Sequence, residues 1–95
     1  MTQQIFYKDP DAVLDFVFDW SGWLASAETI SSETITVPTG ITLGTGATAP
    51  IESAGKVTIW LSGGTDGTSY TVACKIVTSA GRTDERSIDI RVTNR

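Results

Sequence analysis

Between Val13 and Trp20 the chain alternates strictly, with Leu14, Phe16, Phe18 and Trp20 on one side of an extended backbone and Val13, Asp15, Val17 and Asp19 on the other. A side-chain period of two marks a half-buried strand, here with an aromatic inner face. The period returns over residues 29–37, where Ile35 and Val37 alternate with Thr34 and Thr36, and again over 56–62, where Val57, Ile59 and Leu61 share a face and Trp60 is left on the opposite one. Two longer runs follow. Residues 68–78 bring Tyr70, Val72, Cys74 and Ile76 together, and residues 83–93 place Ile88, Ile90 and Val92 inward against outward Ser87, Asp89 and Arg91.

Punctuation between these runs is that of an all-β chain. Pro38-Thr39-Gly40 is a turn signal that precedes a short strand at 41–43, and Ser79-Ala80-Gly81-Arg82 has the length and glycine of a hairpin connection. Segment 21–27 breaks the alternation and sets Trp20, Trp23, Leu24 and Ala27 at helical spacing, which predicts one helical turn or a wide corner. Residues 44–55 read as a loop with one poorly patterned strand inside 47–53. Residues 1–12 read as an extended N-terminal arm that ends at Asp9-Pro10-Asp11, because proline fixes its own φ and biases the preceding residue towards extended backbone.

About seven strands at this spacing, with no long helix to cover an apolar sheet face, require a second sheet. The expected fold is all-β: a single antiparallel β-sandwich of immunoglobulin-like type over residues 13–95, preceded by the arm. The type follows from Tyr70, which opens the penultimate strand two residues before the inward Val72. That is the position of the tyrosine corner, whose hydroxyl bonds backbone a few residues upstream.

Composition narrows what such a sandwich does. At 95 residues there is room for one domain, and the polar positions are rich in Thr and Ser, which favour strands. A net charge of −4 opposes the clustered cations that a nucleic-acid backbone needs, so no nucleic-acid partner is expected. No apolar run approaches the length of a spanning helix, and the first residues lack the basic-then-apolar layout of a secretion signal, so no membrane partner is expected. The single cysteine, Cys74, leaves the fold to be held by packing and is compatible with a reducing compartment.

The inventory also disfavours chemistry. With no histidine in the chain, the usual general base, metal ligand and triad partner are missing, and no catalytic residue, cofactor or metal site is expected. Asp9, Asp11, Asp15 and Asp19 are oxygen ligands in type, but their spacing does not fit a calcium loop, and turn or solvated-face carboxylates are the better reading. Gly44-Thr45-Gly46-Ala47-Thr48-Ala49 spells a dinucleotide fingerprint, yet Pro50 and Gly55 leave no helix to receive a pyrophosphate. Cys74 alternates with core residues and reads as a buried, inert thiol. Surface for partners remains. The candidate interface residues are Ile5, Phe6 and Tyr7 on the arm, and Trp60, whose neighbours already claim the inner face.

The stretches Lys8-Asp9-Pro10-Asp11-Ala12-Val13-Leu14-Asp15-Phe16, Asp19-Trp20-Ser21-Gly22-Trp23-Leu24, Trp60-Leu61-Ser62-Gly63-Gly64, Gly67-Thr68-Ser69-Tyr70-Thr71-Val72 and residues 79–87 resemble a family of small tailed-bacteriophage virion proteins. Members are described as fibre–tail adaptor or head–tail region proteins. The resemblance implies a non-catalytic structural role in the virion, assembly in the host cytoplasm, and multiple copies in a symmetric array bound to portal or neck, tail, fibre or capsid proteins. A capsid decoration protein and a carbohydrate-binding sandwich are the alternative readings, the latter requiring Trp20, Trp23 and Trp60 to line up at the surface.

Overall fold

In a computed structural model that describes residues 4–94, eight strands form two packed sheets. The first three residues of the expected arm, and Arg95, lie outside the described residues. The strands are β1 (Gln4–Lys8), β2 (Leu14–Asp19), β3 (Ile30–Thr36), β4 (Ile41–Leu43), β5 (Ile51–Ser53), β6 (Lys56–Gly63), β7 (Ser69–Thr78) and β8 (Thr83–Val92). One sheet runs β1-β8-β7-β3, and the other runs β2-β6-β4, with β5 also paired to β6. The partition is compatible with the immunoglobulin-like type, in which the second, fourth and fifth strands oppose the third, sixth and seventh.

Alternation places the core where the sequence predicts it. Val57, Ile59 and Leu61 of β6 and Val72, Cys74 and Ile76 of β7 are fully buried in one cluster that also takes in Phe16, Phe18, Ile88 and Ile90. Leu14 is the exception on β2. It lies at the start of an edge strand and is exposed.

Gln4–Lys8 departs from the expected arm. It is extended, but it is a strand of the sandwich, paired in parallel with β8 from Gln4↔Ile88 to Lys8↔Val92, so the sheets are not purely antiparallel. Ile5, Phe6 and Tyr7 are consecutive apolar residues, which hides the period, and the second inward position is filled by a lysine. Phe6 turns inward and packs edge-on against Phe16 with centroids 5.2 Å apart. Lys8 has no exposed surface, and its ammonium donates to the carbonyls of Asp9 (2.8 Å) and Gly63 (2.7 Å), which ties β1 to the end of β6 in the facing sheet. Burial pushes the lysine below its ordinary range, with Asp9 and Asp11 opposing that shift.

The tyrosine corner is present, since Thr65 N–H donates to the Tyr70 hydroxyl at 3.0 Å. Gly40 lies beneath the ring with φ +106°, and a Cβ there would meet Tyr70 Cε1 at 2.9 Å, so this turn needs glycine for both its conformation and its clearance. Residues 44–55 contain a single 3₁₀ turn, Gly46–Thr48, and the short β5. Gly44 N–H donates to the Trp60 carbonyl at 2.8 Å, so the glycine-rich stretch serves as a sheet margin.

Ile59 tests the core directly, as it is fully buried at the centre of β6. Ile59→Ala is expected to lower the unfolding free energy by about 2–5 kcal/mol in urea denaturation, with an unchanged m-value.

Candidate interaction surfaces

The three tryptophans take three different roles. Trp20 directly follows β2 and has no exposed surface, and its indole N–H donates to Asp84 Oδ2 at 2.9 Å. The Arg86 guanidinium stands 4.9 Å from the same ring and donates to the Asp19 carbonyl at 2.6 Å, so one arginine from β8 bridges to the end of β2. Trp23 lies in the turn that follows. The bonds Trp23 N–H and Leu24 N–H to the Trp20 carbonyl, at 2.9 and 3.0 Å, make the expected single helical turn.

Arg82 covers Trp23 at 3.9 Å and also donates to Glu28 through Nε at 2.9 Å and through Nη2. Glu28 completes its set by accepting from the Thr78 hydroxyl at 2.5 Å and from Ala25 N–H at 2.9 Å. Corner 20–28 is thereby clamped to the β7–β8 hairpin by a cation between an aromatic face and a carboxylate. The Arg82 bonds first, then those from Thr78 and Ala25, hold the Glu28 carboxyl down to about 2.

Trp60 is half-buried on the outer face of the sheet formed by β2, β6, β4 and β5. Asp15 of β2 lies directly across from it. One row further on, Ile51, Thr58 and Val17 stand side by side across β5, β6 and β2. Ile51, Val17 and Val13 are all exposed, so this outer face carries separate apolar side chains set among Thr58 and Asp15. Its outward threonines are typical of a solvated strand.

A second exposed pair lies on the opposite side of the molecule. With Phe6 and Lys8 turned inward, Ile5 and Tyr7 face outward from β1, and both are exposed. Their neighbours on β8 are polar, as Ile5 pairs with Asp89, Tyr7 pairs with Arg91, and these two charges form an ion pair at 3.5 Å. Of the four interface candidates, three therefore present side chains to the surface, while Phe6 packs into the core. The signal missed in the sequence is the outward row Val17–Thr58–Ile51, because residues from β2 and β5 come into one row only through their shared partner on β6.

Other candidate groups take structural roles. Asp9 Oδ1 accepts Asp11 N–H at 2.8 Å, and Asp19 Oδ1 accepts the Ser21 N–H and hydroxyl at 2.8 and 2.6 Å, so these carboxylates brace turns. Burial, with Glu33 and Glu85 adding to it, pushes the Cys74 thiol up to about 12 and leaves it protonated. The tryptophan row required by the carbohydrate reading does not exist, since Trp20 is buried and Trp23 lies under Arg82.

The family described as podophage GP4 fiber-tail adaptor protein gp77 matches residues 8–91, nearly the whole sandwich. No curated protein matches the chain.

The Glu28 clamp has a pH signature. Its folded value of about 2 lies below the ordinary 4.5, so its stabilisation is complete above about pH 4.5 and is lost as pH falls towards 2. In acid titration followed by tryptophan fluorescence, the wild type is expected to lose stability across that window. Glu28→Gln is expected to be less stable at neutral pH and to show a flatter decline between those limits.

Proposed function

The chain belongs to the podophage GP4 fiber-tail adaptor protein gp77 family, and from that membership we propose that it is a non-catalytic link between fibre and tail in the virion, with one outer face of the sandwich turned to each. Family membership makes it a structural adaptor of phage particles. The finer reading rests on one observation. Exposed apolar side chains occupy both outer faces, Ile5 and Tyr7 on one and Val17 and Ile51 beside Trp60 on the other.

A link must hold two partners at once, and two faces separated by the thickness of a sandwich can be covered together without steric conflict. The two faces differ in character. The Trp60 face is the more apolar and suits a permanent contact, while the Ile5–Tyr7 face is interleaved with the Asp89–Arg91 pair and suits a contact with polar complementarity. Cys74 is buried and protonated, so assembly in the reducing host cytoplasm requires no oxidising step. As part of a symmetric tail, the protein would be present in a low copy number fixed by that symmetry, whereas a capsid decoration protein would scale with the capsid lattice.

Two double variants test the reading, Ile5→Ser with Tyr7→Ser on one face, and Val17→Ser with Trp60→Ser on the other. Both are expected to fold, as judged by circular dichroism. One should yield particles that carry the adaptor but lack fibres, and the other particles that lack both, with incorporation reduced on the order of tenfold or more in quantitative immunoblots of purified virions. Particles with a full fibre complement from both variants would overturn the two-face reading.

A further inference from the structure

We infer that the outer edge of β3 accepts an extended segment of a partner virion protein as an added strand, one that sets a lysine or arginine against Glu33. The inference rests on the adaptor reading for the source of that segment, and on backbone and side-chain geometry for its place and character. β3 closes one side of its sheet and pairs only with β7.

The phase of the ladder fixes which groups of β3 face outward. Val92 N–H donates to the Thr68 carbonyl and Thr78 N–H to the Arg82 carbonyl, while Ser79 N–H donates to the Thr29 carbonyl on the β3 side. Even-numbered residues of β7 therefore bond to β8 and odd-numbered ones to β3, where Val77, Lys75 and Ala73 lie opposite Ser32, Thr34 and Thr36. Glu33 and Ile35 alternate with these and direct their amides and carbonyls away from β7, to a side where no strand pairs with them among the described residues. The residues outside the described range do not reach this edge. Residues 1–3 adjoin Gln4 on β1, three strand spacings or about 14 Å across the sheet from β3, and three residues span at most about 10 Å. Arg95 follows Asn94, whose N–H donates to Asp66 Oδ1 at 2.9 Å near the Ser69 end of β7, about 17 Å along that strand from Cys74.

Side chains give the edge its selectivity. Glu33 and Ile35 lie opposite Ile76 and Cys74, which are fully buried, so both point to the inner face. Ile35 and Val37 are only partly buried against the core, so an added strand with apolar residues opposite them completes the core margin there. The strand carries no lysine or proline to blunt its edge. Its guards are the register shift between Ile30 and Ser32 and the half-buried Glu33 carboxylate, which has no hydrogen bond or ion pair among the described residues. A strand that covered Glu33 with an apolar side chain would leave a charge without a partner, whereas a cation there forms a pair. The edges of this chain do not offer that cation. A second copy paired through β3 would set Glu33 against Ile35, Val37 or another Glu33. The buried side chains of β2 are Phe16 and Phe18, and on β1 the ammonium of Lys8 is already held by the Asp9 and Gly63 carbonyls. Charge thus selects a different protein over a second copy. In antiparallel pairing its segment reads apolar, any residue, apolar, any residue, then Lys or Arg, opposite Val37, Ile35 and Glu33 in turn.

Hydrogen exchange with mass spectrometry, on the free full-length protein and on purified virions, tests this. Fragments covering residues 33–37 are expected to exchange at least about tenfold more slowly in virions, while those covering β7 change little. Glu33→Lys sets like charges against each other at the edge, so the variant is expected to fold and to enter virions about tenfold less well than wild type. Thr34→Lys makes a similar change of charge on the outer face of the same strand and is expected to enter virions as wild type does. Equal exchange in the two states would overturn the inference while leaving the adaptor reading intact. Wild-type incorporation of a folded Glu33→Lys variant, or an equal loss with Thr34→Lys, would do the same. Protection of residues 33–37 that appears in the free protein as its concentration is raised would assign the edge to a second copy and overturn it too. Absence of the protein from virions would overturn the adaptor reading.

Discussion

Burial of one face of β6 against one face of β7 is the constraint on which the other elements depend. Val57, Ile59 and Leu61 on one strand and Val72, Cys74 and Ile76 on the other are fully buried, and a period of two leaves their intervening residues on the outer faces. A slip of one residue in either strand would bring Trp60 or Lys75 inward. The register is accordingly fixed, and β2, β3, β4 and β8 take their places by pairing with these two strands.

The ends and sides of a sandwich this small are sealed by polar side chains over aromatic ones. Arg82 lies on Trp23 and is held by Glu28, Arg86 lies by Trp20 beside Asp84, and Lys8 reaches across to the Gly63 carbonyl. Each cation covers apolar surface with its stem and spends its donors on carbonyls or carboxylates, so ring and chain end are both satisfied. The late cluster of charges in the sequence is thus largely a set of closures. Arg82 and Arg86 come from the same hairpin, and both act on the corner that follows β2.

These closures leave specific surface open, which connects the fold to an adaptor's task. The two outer faces carry separate apolar groups. An adaptor gains from this division because two faces of one sandwich can be covered at once by different partners. A rigid core with a register set by β6 and β7 keeps these surfaces at fixed distances from one another.

Period-two alternation was enough to locate β2, β6, β7 and β8, the corner tyrosine and the inward face of each strand, because these features depend on neighbours close in the chain. The short β4 was legible from its preceding turn, and the helical turn at Trp23 from its spacing. The strand nature of Gln4–Lys8 was not legible, since Ile5, Phe6 and Tyr7 are apolar in succession and Lys8 is buried only because the Gly63 carbonyl, 55 positions away, receives its ammonium. Alternation had set Trp20 inward and Trp60 outward, and only the tertiary structure decided that Trp23 is a clamp and that Val17 and Ile51 flank Thr58 in one row. Those outcomes turn on which strands share a partner and on which charged side chain reaches which ring, and such contacts join residues whose order along the chain carries no trace of their distance in space.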